Sequence, residues 1–205
     1  MERLLQSVSE QVLYYDGPVP RPDRHRAMLV AATAQLLRRR GYAGTTVSEF
    51  LDAAGAANGS LYHHFPGGKE ELASAAIEAA AGQVEAALSS AFDAGDDVVL
   101  AAQRSVDAMI AALEADPRDG CPVAPTALDA AGMSEPLRLA AASAFARWSD
   151  VFETALAQTR DRETAAAQAK VLLSAIEGAL LLDRTSHSTG HLEALRDALP
   201  SLLAG

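Results

Sequence analysis

The chain has 205 residues, of which 49% are hydrophobic, and a formal net charge of −10 at pH 7. This length suits one large helical unit or a small domain fused to a larger one, and abundant alanine with apolar residues at three- and four-residue spacings predicts helices and no sheet. The single cysteine excludes an intrachain disulfide, and because no secretion signal or apolar run near the roughly 18 residues of a membrane span is recognisable, we expect a cytoplasmic protein.

The charge is distributed unevenly along the chain. Residues 21–69 carry seven basic and three acidic side chains, whereas the rest of the chain carries ten basic and twenty-four acidic ones. The overall charge argues against a nucleic-acid partner, because DNA binding depends on neutralising phosphates. A basic segment on an acidic body would nevertheless orient the molecule on DNA. Chance clustering of surface charge is the alternative explanation.

An all-α fold of about nine helices is predicted. Residues 1–20 are expected to form an arm, either ordered or disordered, because a glycine and prolines separate it from the first confident helix. Residues 21–68 should form a small domain of three helices, and residues 69–205 a larger domain of six. In chain order the predicted helices span 23–41, 46–55, 59–65, 69–92, 96–115, 123–131, 135–156, 163–184 and 191–203. The first would begin with Asp23 as its N-cap and bury Met28, Leu29, Ala32 and Leu36.

Residues 45–72 read TTVSEFLDAAGAANGSLYHHFPGGKEEL and contain the most informative pattern. Thr46 and Glu49 predict a capping box at the start of one short helix, and Gly55 predicts a tight turn before the next. Two short helices joined in this way place the N-terminal end of the second in a DNA major groove, while the first braces against the backbone. Leu61 and Phe65 are four residues apart and should pack inward.

The remaining side chains of this segment are candidates for contacts with DNA. The start of the first short helix presents a hydroxyl and free N–H groups that suit a phosphate. Asn58 has two alternative roles, as an N-cap or as a ligand of the N6 and N7 edge of adenine. Of the arginines at 38–40, we expect one or two to reach phosphate, the alternative being interaction with the helix dipole. The candidate DNA-binding residues are Thr46, Asn58, Gly59, Ser60, Tyr62, His63, His64 and Lys69.

The run from Thr45 to Leu72, preceded by Arg40-Gly41-Tyr42, resembles the DNA-binding domain of the TetR family of one-component transcriptional regulators. Together with GCPVA at residues 120–124, the segment GSLYHHFPGGKEEL resembles more narrowly the LmrA/YxaF branch, whose members include repressors released by small aromatic compounds. The resemblance implies an all-helical fold with a body that binds ligand and dimerises. It also implies operator-backbone contacts for Thr46, Gly59, Tyr62, His63 and Lys69. The chain departs from many relatives at Ala57 and Asn58, which removes one phosphate anchor.

Apolar residues of the larger domain predict a ligand pocket, with plain hydrophobic core as the alternative. The aromatic residues of the 135–156 helix share one face, and Glu177 would be either a polar group in the pocket or a surface residue. Cys121 is expected to line the pocket or pack. The candidate pocket residues are Met109, Leu113, Cys121, Phe145, Trp148, Phe152 and Glu177.

Residues 171–182 are apolar nearly all round the predicted helix, so this helix needs partners on two sides. A second subunit is the expected cover, with the last helix completing a four-helix interface around a two-fold axis. The candidate interface residues are Leu172, Ile176, Ala179, Leu180, Leu195 and Leu199.

These features predict a homodimeric repressor that binds a palindromic DNA operator and is released by a small apolar or aromatic effector. An enzyme acting through Cys121 and a ligand-storage or scaffold protein are the alternatives, but no base for Cys121 lies near it in sequence. The histidine pairs 63/64 and 187/191 lack the neighbouring ligands of a metal site. We therefore predict no catalytic residue, metal or cofactor.

Overall fold

The computed structural model describes residues 21–57, 59–93 and 97–204. These residues form nine helices and contain no strand, which confirms the all-α prediction. The helices are α1 (Arg21–Arg40), α2 (Val47–Ala54), α3 (Ser60–His64), α4 (Gly68–Phe92), α5 (Val98–Ala115), α6 (Ala124–Ala130), α7 (Glu135–Leu156), α8 (Arg162–Ser186) and α9 (Gly190–Leu202). The sequence predictions for the arm at residues 1–20, for the side chain of Asp23 and for Asn58 lie outside the described residues.

Helices α1, α2 and α3 form the small head of the molecule. Their shared core contains Leu29, Leu37, Phe50, Leu61 and Phe65, each at most 1% exposed. This burial confirms the prediction that Leu61 of α3 and Phe65, directly after α3, pack inward.

Of the four residues predicted for the buried face of α1, Leu29 is buried and Ala32 and Leu36 pack against the core, whereas the prediction was wrong for Met28. The structure buries Leu29, Val30, Thr33 and Leu37, whereas Met28 is 48% exposed. In an alanine-rich helix the small side chains weaken the contrast between adjacent faces, so the periodicity alone defines the orientation poorly.

Helix α4 connects the head to the body. It packs against α1 in the head and against α5 and α7 in the body, while α8 lies between α7 and α9. The indole N–H of Trp148 in α7 donates to the carbonyl of Ala81 in α4 over 3.0 Å, which fixes the position of these two long helices. Ser134 accepts from the backbone N–H of Leu137 at the start of α7 and donates to Glu70 of α4.

Helix α8 is long and apolar enough to cross a membrane by length and composition alone. The sequence still has no uninterrupted apolar run of that length here, because the charged residues Lys170 and Glu177 lie between positions 165 and 182. A helix in a protein core meets the same criteria. One side of α8 contacts α7 and α9, and its Leu172 is 1% exposed.

The turn between α8 and α9 is held by Asp183, which is fully buried. Its carboxylate accepts hydrogen bonds from the backbone N–H groups of His191 and Leu192 at 3.0 and 2.8 Å and from the hydroxyl of Ser188 at 3.1 Å. The Nδ1 atom of His191 lies 2.7 Å from the same carboxylate. Burial acts to raise the pKa of Asp183, but these hydrogen bonds overcome it and lower the pKa. Asp183, near the end of α8, thus caps the start of α9.

Replacing Asp183 with alanine is expected to destabilise the protein by roughly 2–4 kcal/mol, because the buried N–H groups at the start of α9 lose their acceptor. Since the folded-state pKa of Asp183 is lowered, its ionised form contributes stability that is lost as the pH falls through that value. Urea unfolding at neutral pH measures the change. Asp197→Asn, an exposed change on α9, serves as the control and should alter the unfolding free energy little; equal effects of the two substitutions would contradict the capping role.

Candidate nucleic-acid interface and ligand cavity

The start of α2 carries the predicted capping box. The backbone N–H of Glu49 donates to Thr46 Oγ1 over 3.3 Å, and Thr46 donates from both its backbone N–H and its hydroxyl to Glu49 Oε2 over 2.8 Å. At the other end of α2, Gly55 adopts a left-handed conformation with φ 61° that closes the helix and turns the chain toward α3. The two short helices and the glycine turn after the first are therefore present, as the sequence predicts.

An internal carboxylate occupies the helix start that the sequence suggested for a phosphate. Arg40 Nη1 lies 2.6 Å from Glu49 Oε1. The hydrogen bond from Arg40, followed by those from Thr46, lowers the pKa of Glu49 to about 2. A phosphate that bonds the Thr46 hydroxyl must therefore replace Glu49 as its partner.

Helix α3 presents the polar side chains that were predicted to contact DNA. Tyr62 is 65% exposed and His63 is exposed, whereas His64 and Ser60 are half-buried. Gly59 is exposed at the N-terminal end of the helix. The exposed phenol and imidazole are thus available to an external partner.

Lys69 is already engaged within the protein. Its ammonium donates to the carbonyl of Tyr42 over 2.8 Å and lies 4.0 Å from the centroid of the Tyr42 ring. Burial lowers the pKa of Lys69, and the negative charges of Asp129 and Glu49 oppose that shift. An ammonium has three donors, so this contact leaves capacity for a phosphate. Lys69 also ties α4 to the segment after α1.

The three arginines at the end of α1 point to three different acidic partners. Arg38 Nε lies 2.5 Å from Asp119 Oδ1, Arg39 Nη2 lies 3.1 Å from Asp116 Oδ2, and Arg40 pairs with Glu49. The expectation that one or two of them reach phosphate would require exchanging an intramolecular ion pair for an intermolecular one.

The end of α1 is also attached to the body through its backbone. Arg184 at the end of α8 donates to the carbonyls of Arg38 and Arg39 over 2.9 and 2.6 Å. Asp129 of α6 accepts from the backbone N–H of Ala43 over 2.9 Å. A side chain at Gly41, where φ is 68°, would place its Cβ 2.4 Å from an oxygen of Asp129, so this approach requires glycine. We call Arg38, Gly41, Asp119, Asp129 and Arg184 the head–body junction.

A cavity of about 140 Å³ lies in the body between α4, α5, α7 and α8 and is also lined by the α5–α6 loop. Six of the seven predicted pocket residues line it: Met109, Leu113, Cys121, Trp148, Phe152 and Glu177. Phe145 instead lies against Trp148 with ring centroids 5.5 Å apart and is absent from the lining. Two residues predicted for the dimer interface, Ile176 and Leu180, also line the cavity.

The polar part of the cavity is formed by Glu177 and Cys121. Burial raises the pKa of Glu177 to about 7, and its hydrogen bond with the Cys121 thiol acts in the opposite direction. Burial, followed by the charge of Glu177, raises the pKa of the Cys121 thiol. Cys121 Sγ also accepts from the backbone N–H groups of Val123 and Ala124 at the start of α6, over 3.4 and 3.3 Å. The thiol therefore has a structural role, and its raised pKa opposes the nucleophilic one.

Most of the residues predicted for a dimer interface pack inside the protomer. Each of five is at most 8% exposed: Leu172, Ile176, Ala179, Leu180 and Leu199. Leu195 is half-buried. The apolar residues that α8 leaves accessible are Val171, Leu181 and Leu182, which are 50%, 57% and 50% exposed. The helix does have two apolar sides, but the predicted leucines belong to the inward one.

Sequence reasoning missed the head–body junction. Its members come from α1, the α5–α6 loop, α6 and α8, so the contacting residues are up to 146 positions apart. No local spacing relates them. The one feature of the sequence that points to the junction is the run of three arginines at the end of α1. These arginines were predicted to interact with the helix dipole or with phosphate.

A helix-turn-helix head on a helical body with an apolar cavity defines a class of protein: the one-component transcriptional regulator, in which a single chain combines both parts. Residues 29–76 match the family "Bacterial regulatory proteins, tetR family". Residues 98–198 match "Transcriptional regulator LmrA/YxaF-like, C-terminal domain". The chain belongs to the TetR family of DNA-binding transcriptional regulators, and these relatives are regulators and not enzymes.

Individual relatives agree with this assignment. The HTH-type transcriptional regulator LmrA of Bacillus subtilis (strain 168) is 32% identical over 180 residues, which cover 87% of this chain and 96% of LmrA. The uncharacterized regulator YxaF of the same organism is 31% identical, with 87% of this chain and 94% of YxaF covered. The crystal structure of a TetR regulator from Chloroflexus aurantiacus J-10-FL superposes with a TM-score of 0.76 at 25% identity, covering 89% of this chain and 96% of that one.

Glu177→Gln is expected to change how stability depends on pH. Because the folded-state pKa of Glu177 is raised to about 7 from 4.5, the wild type loses stability as the pH rises through this window, whereas glutamine cannot titrate. Between pH 4.5 and 8 the wild type should lose roughly 2–3 kcal/mol of unfolding free energy relative to the variant. Urea unfolding of both proteins across this range measures the difference. If the difference in unfolding free energy between the two proteins does not change with pH, the buried Glu177 carboxyl does not titrate as expected. Glu163→Gln, at an exposed position of α8, is the matched control.

Proposed function

We propose that the protein is a homodimeric repressor that binds a palindromic operator and is released when a small apolar or aromatic effector enters the body cavity. The observation that carries the proposal is that Arg38, at the end of the first helix of the DNA-binding head, is itself part of the cavity lining. Its side chain contacts Asp119 and donates to the carbonyl of Gly120, two other lining residues. The proposed cellular location is the cytoplasm, where a regulator has access to DNA.

The exposed surface of α3 supports the proposed DNA contacts. Tyr62 and His63 carry donors for phosphate oxygens and project from a helix whose hydrophobic side is fixed in the head core. Gly59 and Ser60 keep the N-terminal end of this helix narrow. Thr46 and Lys69 lie at the starts of the two helices that flank the turn and α3, where their donors can contact the DNA backbone. Asn58, outside the described residues, keeps its proposed role as a cap or as a ligand of adenine.

The outer face of α8 supports dimerisation. Val171, Gly178 and Leu182 are spaced seven and four residues apart and therefore share one side of the helix. On this side Val171 and Leu182 are exposed and Gly178 is partly exposed. On α9, the small residues Ala194 and Ala198 lie four positions apart and are also exposed. Two copies of α8 and α9 would bury these faces in a four-helix interface.

Ligand release follows from the contacts that the cavity shares with the head. An effector can shift a conformational equilibrium only if it binds the two states with different affinity. A ligand that moves the 119–122 segment or α8 alters the hydrogen bonds that hold the last turn of α1. Changing the position of α1 changes the separation of the two α3 helices, and binding requires that separation to match successive grooves.

The DNA contacts can be tested with two substitutions that act differently. Tyr62→Phe removes one exposed hydroxyl and should weaken operator binding roughly threefold to tenfold without changing its salt dependence. Lys69→Ala should also reduce the slope of log affinity against log salt by about one, because a phosphate contact is lost. Fluorescence anisotropy with a labelled operator at several salt concentrations measures both effects.

Lys170→Ala, an exposed change on α8, is the control for these measurements and should leave affinity and slope unchanged. An unaltered slope in Lys69→Ala would show that the ammonium remains on Tyr42 and does not reach DNA. Unaltered affinity in Tyr62→Phe would remove Tyr62 from the interface.

Leu182→Glu is expected to dissociate the dimer, because it places a charge on the outer face of α8 that the interface would have to desolvate. Light scattering should report a change from twice the chain mass to the chain mass of 21.4 kDa. Met28→Glu is a matched control: this methionine is also about half exposed, but it lies in the head. A dimer that survives Leu182→Glu would exclude this face.

A further inference from the structure

We propose that the effector is a compact organic cation, a protonated amine joined to a single aromatic ring, whose ammonium group pairs with the carboxylate of Glu177 inside the cavity. This inference rests on the proposed function and specifies the chemical class of the ligand. It follows from the charges of the cavity lining, from the hydrogen bonds that those charges already make, and from the size of the space.

The charged residues that line the cavity among the described part of the chain are Arg38, Asp119 and Glu177. The guanidinium of Arg38 lies 2.5 Å from Asp119, so these two charges compensate each other. Glu177 is left without a cationic partner in the lining. An ionised carboxylate in an apolar cavity is costly unless a positive charge accompanies it.

The hydrogen bonds around Glu177 leave room for such a partner. Its protein contact within the cavity is the thiol of Cys121. A thiol is a weak donor with one hydrogen, whereas a carboxylate has about four acceptor sites. The sulfur of Cys121 is fixed in turn by the two backbone N–H groups of α6. The carboxylate can therefore accept from an ammonium without losing the hydrogen bond from Cys121.

The remaining walls suit an aromatic ring. Trp148 and Phe152 contribute from α7, and Leu88, Leu113 and Ile176 from three other helices. The cavity volume of about 140 Å³ is close to the roughly 150 Å³ that holds one benzene molecule in an engineered protein cavity. A space of this size limits the ligand to one ring with a short chain toward Glu177, and the aromatic walls also favour a nearby cation.

The carboxyl distinguishes ligands by charge. A carboxylate ligand would place a second negative charge beside Glu177 in an apolar site. A purely apolar ligand would offer Glu177 no new hydrogen-bond donor, and the carboxyl would stay protonated. An ammonium ligand stabilises the ionised form. Since burial raises the pKa of Glu177 to about 7, binding of a cation near pH 6.5 should release a fraction of a proton from this residue. Cys121, Arg38 and Asp119 are the other titratable groups of the lining.

The experiment compares three probes that share a benzene ring and differ in charge: 2-phenylethylamine, 2-phenylethanol and 3-phenylpropanoate. Calorimetric titration of the full-length protein at pH 6.5, in two buffers with different ionisation enthalpies, gives affinity and proton release together. The amine should bind at least tenfold more tightly than the alcohol, and the carboxylate more weakly than both. Proton release should accompany the amine alone.

Glu177→Gln keeps the shape of the side chain and removes its charge. In this variant the affinity for the amine should fall at least tenfold, to the level of the alcohol, and proton release should disappear. Glu163→Gln is the control on the same helix and should behave as the wild type. If the wild type binds the three probes equally, or if Glu177→Gln binds the amine as the wild type does, the proposed ligand class is overturned. The comparison among probes uses the wild type, so it does not depend on the folding of a variant.

Operator binding separates this inference from the proposed function. An amine that binds through Glu177 but leaves the protein on its operator would support the ligand class and overturn the release mechanism. A protein that binds its operator and is released by another ligand, without binding the amine, would overturn the ligand class and support the proposed function.

Discussion

The attachment of the last turn of α1 to the body is the constraint on which the rest of the structure depends. A helix ends with backbone carbonyls that lack partners within the helix, and here Arg184 of α8 donates to two of them. The same turn carries the Arg38 side chain to Asp119 and Gly120 in the cavity wall. The head is also joined to the body through α4 and α6, so these contacts and those of α1 with α8 together fix where the head lies.

Ion pairs within the chain compensate part of the positive charge of residues 21–69. The basic excess of residues 21–69 includes Arg38, Arg39 and Arg40, and all three are matched by carboxylates, two of them from the body. A guanidinium that is paired within the chain contributes less to the attraction of phosphates than a free one. The electrostatic preference of the head for DNA is therefore smaller than a count of charges suggests, which gives more weight to the proposed contacts of neutral donors such as the Tyr62 hydroxyl.

The sequence was sufficient for features set by local rules. The capping box of Thr46 and Glu49 depends on two residues three positions apart, and it is present in the structure. Trp148 and Phe152 of the predicted pocket line the cavity because aromatic side chains at helical spacing mark a buried face, although Phe145 of the same pattern does not. Residues predicted for a dimer interface pack inside the protomer because α8 is apolar on two sides, and composition alone cannot say which side faces the protomer core. The junction was missed because its contacts join distant helices.

The polar groups of the cavity show why such a site is costly to maintain. Glu177 would stabilise the protomer more as an uncharged residue, since burial of its carboxyl raises its pKa to about 7 and disfavours the ionised form near neutral pH. Its neighbour Cys121 has a clear structural function at the start of α6, whereas Glu177 contributes no comparable cap or ion pair in the described structure. Groups whose pKa is shifted by burial in this way concentrate at functional sites. A carboxyl without a counter-charge, placed on the helix whose last turn carries Arg184, would in the proposed mechanism connect the charge of a ligand to the position of the head through a single element.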